Sequence, residues 1–540
     1  MGRSDPSDGV GPRPCPLTSR LPAAGSGWVR LVEFGILFGL VAVAILLRFY
    51  DLDRFGIRGD EAIYSGQAAT LAGDPERARF FAVFRAHPLI FQAVLAVLYG
   101  VGLPDMASRW LVAASGVAAV LVAWGLGRSV GTRVVGLSAA AIVALVPYAV
   151  SMSRMALLDT TTGVLLGLGV LGAVRFLDGR RLAWLVASAG FTALACLTKE
   201  IAVVALGGFL VSQLDPKLRI GWRAFAAWTG TFVIVAAAYP LSLLVGGGLR
   251  SAYLYLRWQL LSRGANPADT YLTFIDPYLS WAVAAVFLVG VVACLVWPRR
   301  AQRLVVLVGL AVLAALQYWK LKEVQLPIIA FPILAAVAGV GFGRIGEGIA
   351  WLISRARVST SASSSDRDVK WIRALAAGIV AIVLIVPLGL RSWQIITSVP
   401  DIAQSIQRGG YPGQLEAARW YGENAPEGAV CAVASPNLAA LFQFYSGHDC
   451  VGMDVPATAR RRNPADVFVD HAGTWITDNR IHYVITDLAS SRLRSNATDE
   501  LEQLVEDHHG RLVHEVHGQV REGDGEPFDT WLVRIYEVRP

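Results

Sequence analysis

Long apolar runs separated by short polar loops occupy most of the chain between residues 30 and 392. A helix needs about 20 apolar residues to cross the hydrocarbon core of a bilayer. Residues 88–103 are apolar but too few, which predicts a helix lying in the interface. The other runs predict eleven membrane-spanning helices, at residues 30–49, 107–127, 133–150, 160–177, 182–197, 200–214, 223–245, 279–297, 303–319, 325–343 and 373–392.

The charge of the loops predicts an orientation. If the N-terminus is inside, each inner loop carries at least two basic residues, as cytoplasmic loops usually do. Counting residues 88–103 as a span would place the same loops outside. The pattern therefore predicts a multi-pass plasma-membrane protein with a cytoplasmic N-terminus and an extracytoplasmic C-terminus. The inner loops are residues 128–133, 178–181, 215–223, 298–303 and 344–373.

The two ends of the chain differ from its middle. Residues 1–29 are rich in Gly, Pro and Ser and predict a disordered cytoplasmic segment. Residues 30–393 form the predicted transmembrane domain, with an outer loop at 50–106 and an inner linker at 344–372. Residues 394–540 are mixed in character, and their alternating strand and helix patterns predict an extracytoplasmic α/β domain. In that domain Cys431 and Cys450 either form a disulfide or remain buried thiols.

Composition supports a polytopic α-helical membrane protein with about eleven transmembrane helices and a C-terminal α/β domain. Hydrophobic residues make up 54% of the chain and charged residues 16%, whereas soluble domains contain roughly 25% charged residues. The net charge of +7 is explained by the basic inner loops. It therefore does not indicate a nucleic-acid partner.

Polar residues gather in the predicted outer loops. Lysine and arginine at a helix end often only reach for the interface, and a tyrosine there can belong to an aromatic belt. Carboxylates near the hydrocarbon are costly and usually mark a functional site. Candidate catalytic residues are Asp60, Glu61 and Asp159. Candidate substrate-binding residues are Tyr64, Arg85, His87, Arg154, Lys199, Lys322 and Glu323.

Carboxylates and cations at a membrane face suit one chemistry. A sugar joined through phosphate to a polyprenyl lipid would place its tail between helices and its phosphate at headgroup level. Cations would stabilise the charge that the phosphate gains on leaving. A carboxylate across the sugar would take a proton from the attacking hydroxyl.

Several motifs resemble those of the GT-C glycosyltransferases of the protein O-mannosyltransferase and ArnT type. The resemblance covers residues 30–345. G-D-E-A-I-Y at 59–64 resembles the acidic motif of their first outer loop, and A-H-P-L at 86–89 is similar to H-P-P-L. The other likenesses are S-R-M-A-L-L-D within 151–159 to R-x-x-x-x-D, L-T-K-E at 197–200 to L-x-K-G, and the segment 322–332 to a late K-x-x-x-Y-x-L-P-x-x-P.

The resemblance implies an inverting hexosyl transfer from a polyprenyl-phosphate sugar, without a nucleotide sugar and without an obligatory metal or other cofactor. It implies Asp60 as the base, with Glu61 and Asp159 orienting the sugar or the acceptor. His87 stands where the ArnT-like proteins have a phosphate-contacting lysine. A further departure is Glu200, which replaces the glycine of L-x-K-G.

Alternatives remain open at this point. The acceptor can be a protein, a glycan or a lipid, and the C-terminal domain can be catalytic, acceptor-binding or a lid. An oligosaccharyltransferase or polymerase is a second enzymatic hypothesis, although the sequence has no W-W-D motif. A transporter or flippase for a lipid-linked sugar is a third. The enzyme hypothesis predicts that Asp60 and Asp159 share one cavity.

Overall fold

A computed structural model describes residues 26–83, 87–257, 266–358, 366–402, 411–453, 472–478, 480–492, 496–523 and 525–539. Most of the N-terminal segment predicted to be disordered therefore lies outside the described residues, as does Arg85.

The helices of the first part of the chain are α1 (Ser26–Phe49), α2 (Gly59–Leu71), α3 (Pro75–Phe80), α4 (Ile90–Gly100), α5 (Ala107–Val130), α6 (Arg133–Leu145), α7 (Pro147–Met152), α8 (Leu158–Gly179), α9 (Leu182–Thr198), α10 (Ala205–Ser212), α11 (Trp222–Ala236), α12 (Ala238–Val245), α13 (Leu249–Arg257), α14 (Thr270–Thr273), α15 (Ile275–Tyr278), α16 (Trp281–Val296), α17 (Arg300–Tyr318), α18 (Phe331–Val358) and α19 (Asp366–Thr397). Two 3₁₀ turns lie at Glu200–Val204 and Leu326–Ala330.

The last part contains the helices α20 (Gln414–Asn424), α21 (Pro436–Ser446), α22 (Ala472–Thr477), α23 (Leu488–Arg492) and α24 (Asn496–Asp507). Its strands are β1 (Val430–Val433), β2 (Asp449–Gly452), β3 (Tyr483–Asp487), β4 (Arg511–Val520) and β5 (Phe528–Glu537).

The apolar helices follow the predicted spans. Within the described ranges, seven helices are long and apolar enough to cross a membrane: Gly27–Phe49, Ala107–Val130, Leu158–Gly179, Trp222–Val245, Arg300–Tyr318, Leu326–Ile353 and Leu375–Thr397. The four other predicted spans correspond to shorter apolar helices of 10–17 residues, at Arg133–Leu145, Leu182–Thr198, Glu200–Ser212 and Trp281–Val296. The predicted interfacial helix is the short α4, Ile90–Gly100.

Two predicted segments differ in detail from the helices of the structure. The predicted span at 133–150 is interrupted between α6 and α7, because Pro147 lacks an N–H and the residue before a proline is pushed out of the helical region. Val146 accordingly has an extended ψ of 131°. The inner linker predicted at 344–372 is helical as far as Val358, and an Arg344–Glu347 ion pair on one helix face supports that extension.

The C-terminal part folds around a mixed sheet with strand order β2-β1-β3-β5-β4. The first three strands are parallel, whereas β5 runs antiparallel to both β3 and β4. Strand β2 has only four residues. Cys431 and Cys450 face each other across β1 and β2 and form a disulfide, which decides between the two predicted alternatives.

The C-terminal part packs directly on the loop between the first two spanning helices. An apolar cluster joins Ile57, Ala62 and Phe81 to Ala440 and Phe444 of α21. Burial of such a cluster stabilises the contact by roughly 25 cal/mol per Å² of apolar surface removed from water. This contact brings α21 to the start of α2, where the acidic motif lies.

Candidate active site

The acidic motif opens a helix. Arg58 is the extended residue before α2, and Asp60 and Glu61 lie in the first turn. Successive residues of an α-helix point about 100° apart, so the two carboxylates face different surroundings. Asp60 is partly exposed and lines a cavity, whereas Glu61 is fully buried.

Gly59 allows the C-terminal part to reach this helix. A Cβ on Gly59 would lie 2.4 Å from the Cβ of Asn437 and 2.5 Å from its carbonyl oxygen. Only a residue without a side chain permits that approach. The glycine of the motif thus fits the docking of α21 onto α2.

Glu61 belongs to a buried cluster of charges. Its Oε1 and Oε2 accept hydrogen bonds from Nε and Nη2 of Arg109 at 2.9 and 2.8 Å. The same carboxylate also accepts from the backbone N–H groups of Arg58 and Ala156. These four bonds tie α2, α5 and the segment before α8 together, so the geometry favours a positioning role for Glu61.

Arg154 extends this buried cluster and lies outside the cavity lining. Its guanidinium donates to the backbone carbonyls of Leu47, Arg48, Tyr50 and Asp51 at 2.8–3.2 Å. Cations are favourable at a helix C-terminus, where carbonyls lack helical partners. Arg154 therefore caps the end of α1.

Behind it, Arg48 donates to the carbonyls of Val143 and Ala144 near the end of α6. Glu61, Arg109, Arg154 and Arg48 are together called the closed cluster below. Each of these side chains is at most 6% exposed. The closed cluster therefore fixes the ends of helices rather than meeting solvent.

A cavity of about 720 Å³ opens beside Asp60 and is called the polar cavity below. The N-terminus of α8 supplies Asp159, and the break after α9 supplies Lys199. The Lys199 Nζ donates to both Asp159 oxygens at 2.8 Å. The polar cavity therefore contains both carboxylates that the sequence analysis placed together, Asp60 and Asp159.

A histidine and a third carboxylate, Glu200, also line the polar cavity. His87 Nδ1 lies 2.8 Å from Glu200 Oε2, and His87 Nε2 lies 2.9 Å from the hydroxyl of Tyr255 on α13. The rings of Tyr64 and His87 are steeply inclined to each other, at 75°, with 6.2 Å between their centroids. Desolvation raises the pKa of Tyr64 well above its usual range, and the Asp60 charge adds to the shift. The phenol therefore stays protonated and can donate a hydrogen bond.

The late motif contributes one of its two predicted residues to the polar cavity. Glu323 lines it and accepts a hydrogen bond from Gln325 Nε2 at 2.7 Å. Lys322 is 8% exposed, lies outside the lining, and donates from Nζ to the carbonyl of Trp319 at 3.3 Å. Its side chain thus braces the turn before the motif.

A second cavity of about 430 Å³ lies between the start of α2 and the C-terminal part, and is called the interdomain cleft below. It shares Asp60, Leu157, Gln325 and Asn437 with the polar cavity. Arg58 lines the cleft, and among the described carboxylates none forms an ion pair with it. Asp60 therefore borders both cavities.

Sequence reasoning missed some residues of this region. Arg58 and Arg109 stand close to predicted residues, and a paired acid within an apolar segment calls for such a cation. Nothing in the local sequence marked Tyr255 or Asn437 as site residues, because each belongs to a segment far along the chain from the acidic motif. In the part of the chain that the structure describes, no group of three or more His, Cys, Asp and Glu residues is arranged to hold a metal ion.

Comparison with known proteins gives matches only at the level of structure. No protein-family model and no curated protein sequence matches the chain. The crystal structure of ArnT from Cupriavidus metallidurans in the apo state aligns with a TM-score of 0.65 at 15% identity, covering 95% of this chain and 98% of that one. The same enzyme bound to undecaprenyl phosphate gives 0.63 at 16% identity, with the same coverage.

A second kind of neighbour is the archaeal oligosaccharyltransferase AglB from Archaeoglobus fulgidus, in complex with an inhibitory peptide and a dolichol-phosphate. It aligns with a TM-score of 0.58 at 12% identity, covering 94% of this chain and 75% of that one. The likeness to both extends over the helices and the C-terminal sheet. The chain therefore has the fold of the GT-C glycosyltransferases.

Proposed function

We propose that this chain is a hexosyltransferase that moves a sugar, with inversion, from a polyprenyl-phosphate donor to an acceptor at the outer membrane face. One observation carries the proposal: Asp60 borders both the polar cavity and the interdomain cleft. A transferase needs a group that reaches two substrates at once. A carboxylate shared by two cavities meets that need.

The polar cavity suits the donor. Its apolar lining from α12 and α13 includes Leu243, Leu249 and Leu256, which a lipid tail can contact. Lys199 and His87 lie on the polar side, where a phosphate would meet them. The neighbouring structures support this class of donor, since the ArnT structure holds undecaprenyl phosphate and the AglB structure a dolichol-phosphate.

The reaction follows from these positions. The acceptor hydroxyl attacks the anomeric carbon from the side of the cleft, and Asp60 takes its proton. The bond from that carbon to the phosphate oxygen breaks, and the electron pair stays with the phosphate. Lys199 and His87 stabilise the charge that the phosphate gains, while Asp159 holds Lys199 and orients the sugar. Attack opposite the leaving phosphate inverts the anomeric carbon.

The remaining predicted residues receive different roles in this proposal. Tyr64 and Glu323 contact substrate from the wall of the polar cavity. Glu61, Arg154 and Lys322 act through the backbone that they hold. The proposed role of Arg85 in phosphate binding stays a sequence-based prediction, because that residue lies outside the described ranges.

The interdomain cleft suits the acceptor, which makes acceptor binding the favoured role for the C-terminal domain. Asn437 of α21 is exposed to both cavities, and within the described ranges its side-chain amide forms no hydrogen bond. Ser435 and Arg58 add further polar groups. These groups fit a hydroxyl-bearing acceptor, and they suit a protein, a glycan or a lipid headgroup equally.

Two rival functions make different predictions. A flippase needs a route across the membrane, whereas the two cavities meet at helix ends around Asp60. An oligosaccharyltransferase would move a whole glycan. Because the fold is also similar to that of AglB, the experiment below includes this function as one of its outcomes.

Mass spectrometry of glycans, glycoproteins and glycolipids from a deletion strain tests the proposal. We expect one hexose-containing product to disappear and to return with the wild-type gene. Asp60→Asn should not restore it, since loss of a general base costs roughly 10²- to 10⁴-fold in rate. Asp53→Asn is the matched control, because Asp53 is exposed and lies outside both cavities.

The outcomes separate the candidates. Loss of a complete oligosaccharide from protein identifies an oligosaccharyltransferase. Accumulation of an intact lipid-linked sugar on the cytoplasmic side, with normal transfer in membranes opened by detergent, identifies a flippase. Full restoration by Asp60→Asn removes that residue from the role of base.

A further inference from the structure

Two residues that depart from the resembled motifs touch each other. His87 and Glu200 are far apart in sequence, yet Nδ1 of the imidazole lies 2.8 Å from Oε2 of the carboxylate. The His87 side chain is 18% exposed and that of Glu200 is 36% exposed. The pair is therefore partly shielded from water and still faces the polar cavity.

The carboxylate decides which ring nitrogen carries a proton. A neutral imidazole has one N–H, and its other nitrogen is an acceptor. A carboxylate only accepts, so Glu200 requires the proton on Nδ1. In the neutral ring Nε2 is then an acceptor, and it takes a hydrogen bond from Tyr255, whose oxygen lies 2.9 Å away.

This arrangement restricts how His87 meets a phosphate. Phosphate oxygens in a diester also only accept, so a neutral His87 with its proton on Nδ1 has nothing to offer them at Nε2. Moving the proton to Nε2 would turn the Nδ1 lone pair toward the Glu200 carboxylate, which is repulsive. Only the doubly protonated ring satisfies Glu200 and a phosphate together.

The other charged groups around His87 do not supply the positive charge that a protonated imidazole would offer to a phosphate. Lys199 is bound by both oxygens of Asp159, so its charge is largely compensated. The groups that face His87 are Tyr64 from α2, Asp159 from α8, Lys199 and Glu200 from the end of α9, Tyr255 from α13, and Asp60 and Glu323 across the cavity. Acidic groups predominate among these described residues.

We infer that His87 binds the donor phosphate as an imidazolium held by Glu200, so that loading a polyprenyl phosphate takes up a proton. This inference rests on the donor class of the proposed function. Glu200 is a positioning residue in it, because it acts on the phosphate only through His87. The expected consequence is donor binding that weakens as pH rises.

Binding of the methyl phosphodiester of undecaprenyl phosphate, whose phosphate keeps a single negative charge, to the full chain in nanodiscs tests the inference between pH 6 and pH 9. A binding step that takes up one proton loses up to tenfold in affinity per pH unit. The His87→Lys variant keeps a cation throughout this range. The phosphodiester does not titrate in this range, so the ratio of the dissociation constants of the two proteins reports the protonation of His87. We expect that ratio to change at least about tenfold across the range.

Glu200→Gln supplies the second, nearly isosteric variant. The Gln amide donates to Nδ1 and thereby permits the neutral tautomer with its proton on Nε2. We expect this variant to bind more weakly than wild type at pH 6 but to lose less affinity by pH 9. A structural role alone would weaken binding equally at every pH, and thermal unfolding of each variant reports whether it is folded.

Two results would overturn the inference: a wild-type profile parallel to that of His87→Lys, or a Glu200→Gln profile as steep as wild type. Failure of the undecaprenyl phosphodiester to bind the wild-type protein at any pH is a different result. It would remove the proposed donor class itself, and the inference with it.

Discussion

The two neighbouring carboxylates of the acidic motif belong to two different regions. In one region the charged side chains are buried and paired, and in the other they face a cavity. In the closed cluster, Glu61 meets Arg109 and two backbone N–H groups, and the charges are shielded from solvent. In the polar cavity, Asp60 remains partly exposed beside about 720 Å³ of open space. One region holds helix ends in place, and the other leaves a charge available to a substrate. A one-residue step along α2 separates these functions.

The largest expected effect comes from breaking the closed cluster. Arg109→Met leaves the Glu61 carboxylate buried without its cation, and removing one partner of a buried pair costs about 3–5 kcal/mol. Thermal unfolding of the purified protein should show a large drop in the unfolding midpoint. Asp60→Asn should unfold like wild type even though it is inactive. If Arg109→Met were as stable as wild type, the closed cluster would have no structural role.

The Asp159–Lys199 pair in the polar cavity gives a smaller effect on stability. Lys199→Met leaves the Asp159 carboxylate without its bidentate partner, and hydrogen bonds to charged groups contribute about 1.5–3 kcal/mol. The double variant Asp159→Asn/Lys199→Met should recover much of this loss in an unfolding assay while remaining inactive. A double variant no more stable than Lys199→Met would show that the two side chains are not coupled.

Gly59→Ala tests the contact between the two parts of the chain. The new methyl group overlaps Asn437, and overpacking typically costs about 1–3 kcal/mol. We expect a lower unfolding midpoint, faster proteolysis of the C-terminal domain and reduced transfer. Gly100→Ala is the matched control, since a Cβ at Gly100 meets no atom within 4 Å. Equal behaviour of the two variants would argue against tight docking.

The smallest effect is expected at the exposed ion pair between Arg79 of α3 and Asp449 of β2, whose side chains are 59% and 40% exposed. Exposed pairs contribute about 0.2–1 kcal/mol and are screened by salt. Asp449→Asn should therefore shift the unfolding midpoint only slightly, and less at 1 M NaCl than at low salt. A loss comparable to that of Arg109→Met would mean that this pair also holds the domains together.

The apolar pattern predicted the helical part well, because a membrane span must satisfy its own backbone within one continuous apolar segment. Each of the eleven predicted spans overlaps an apolar helix within the described residues, and four of these helices are shorter than the spanning length. The apolar pattern did not indicate the break at Pro147, because hydropathy carries no information on the steric effect of proline. It also did not indicate that α18 continues to Val358, because that part of the helix lies beyond the apolar run.

The candidate site was predicted unevenly for a related reason. Polar and charged residues at the ends of apolar runs, where burial of a charge is costly, identified Asp60, Asp159, Lys199 and His87. All four line one cavity. The same signal could not separate these residues from Glu61 and Arg154, which face inward. Nor could it identify Tyr255, whose contact with His87 depends on how α13 packs.

By itself, the sequence determined the class of protein, the order of the helices and the set of charges at their ends, since each of these depends on local composition. Only the tertiary structure decided which charges are closed off and which remain open. That distinction depends on partners brought together from distant segments, such as Arg109 for Glu61 and Glu200 for His87. A side chain is available for chemistry only where packing leaves it unsatisfied and within reach of a cavity.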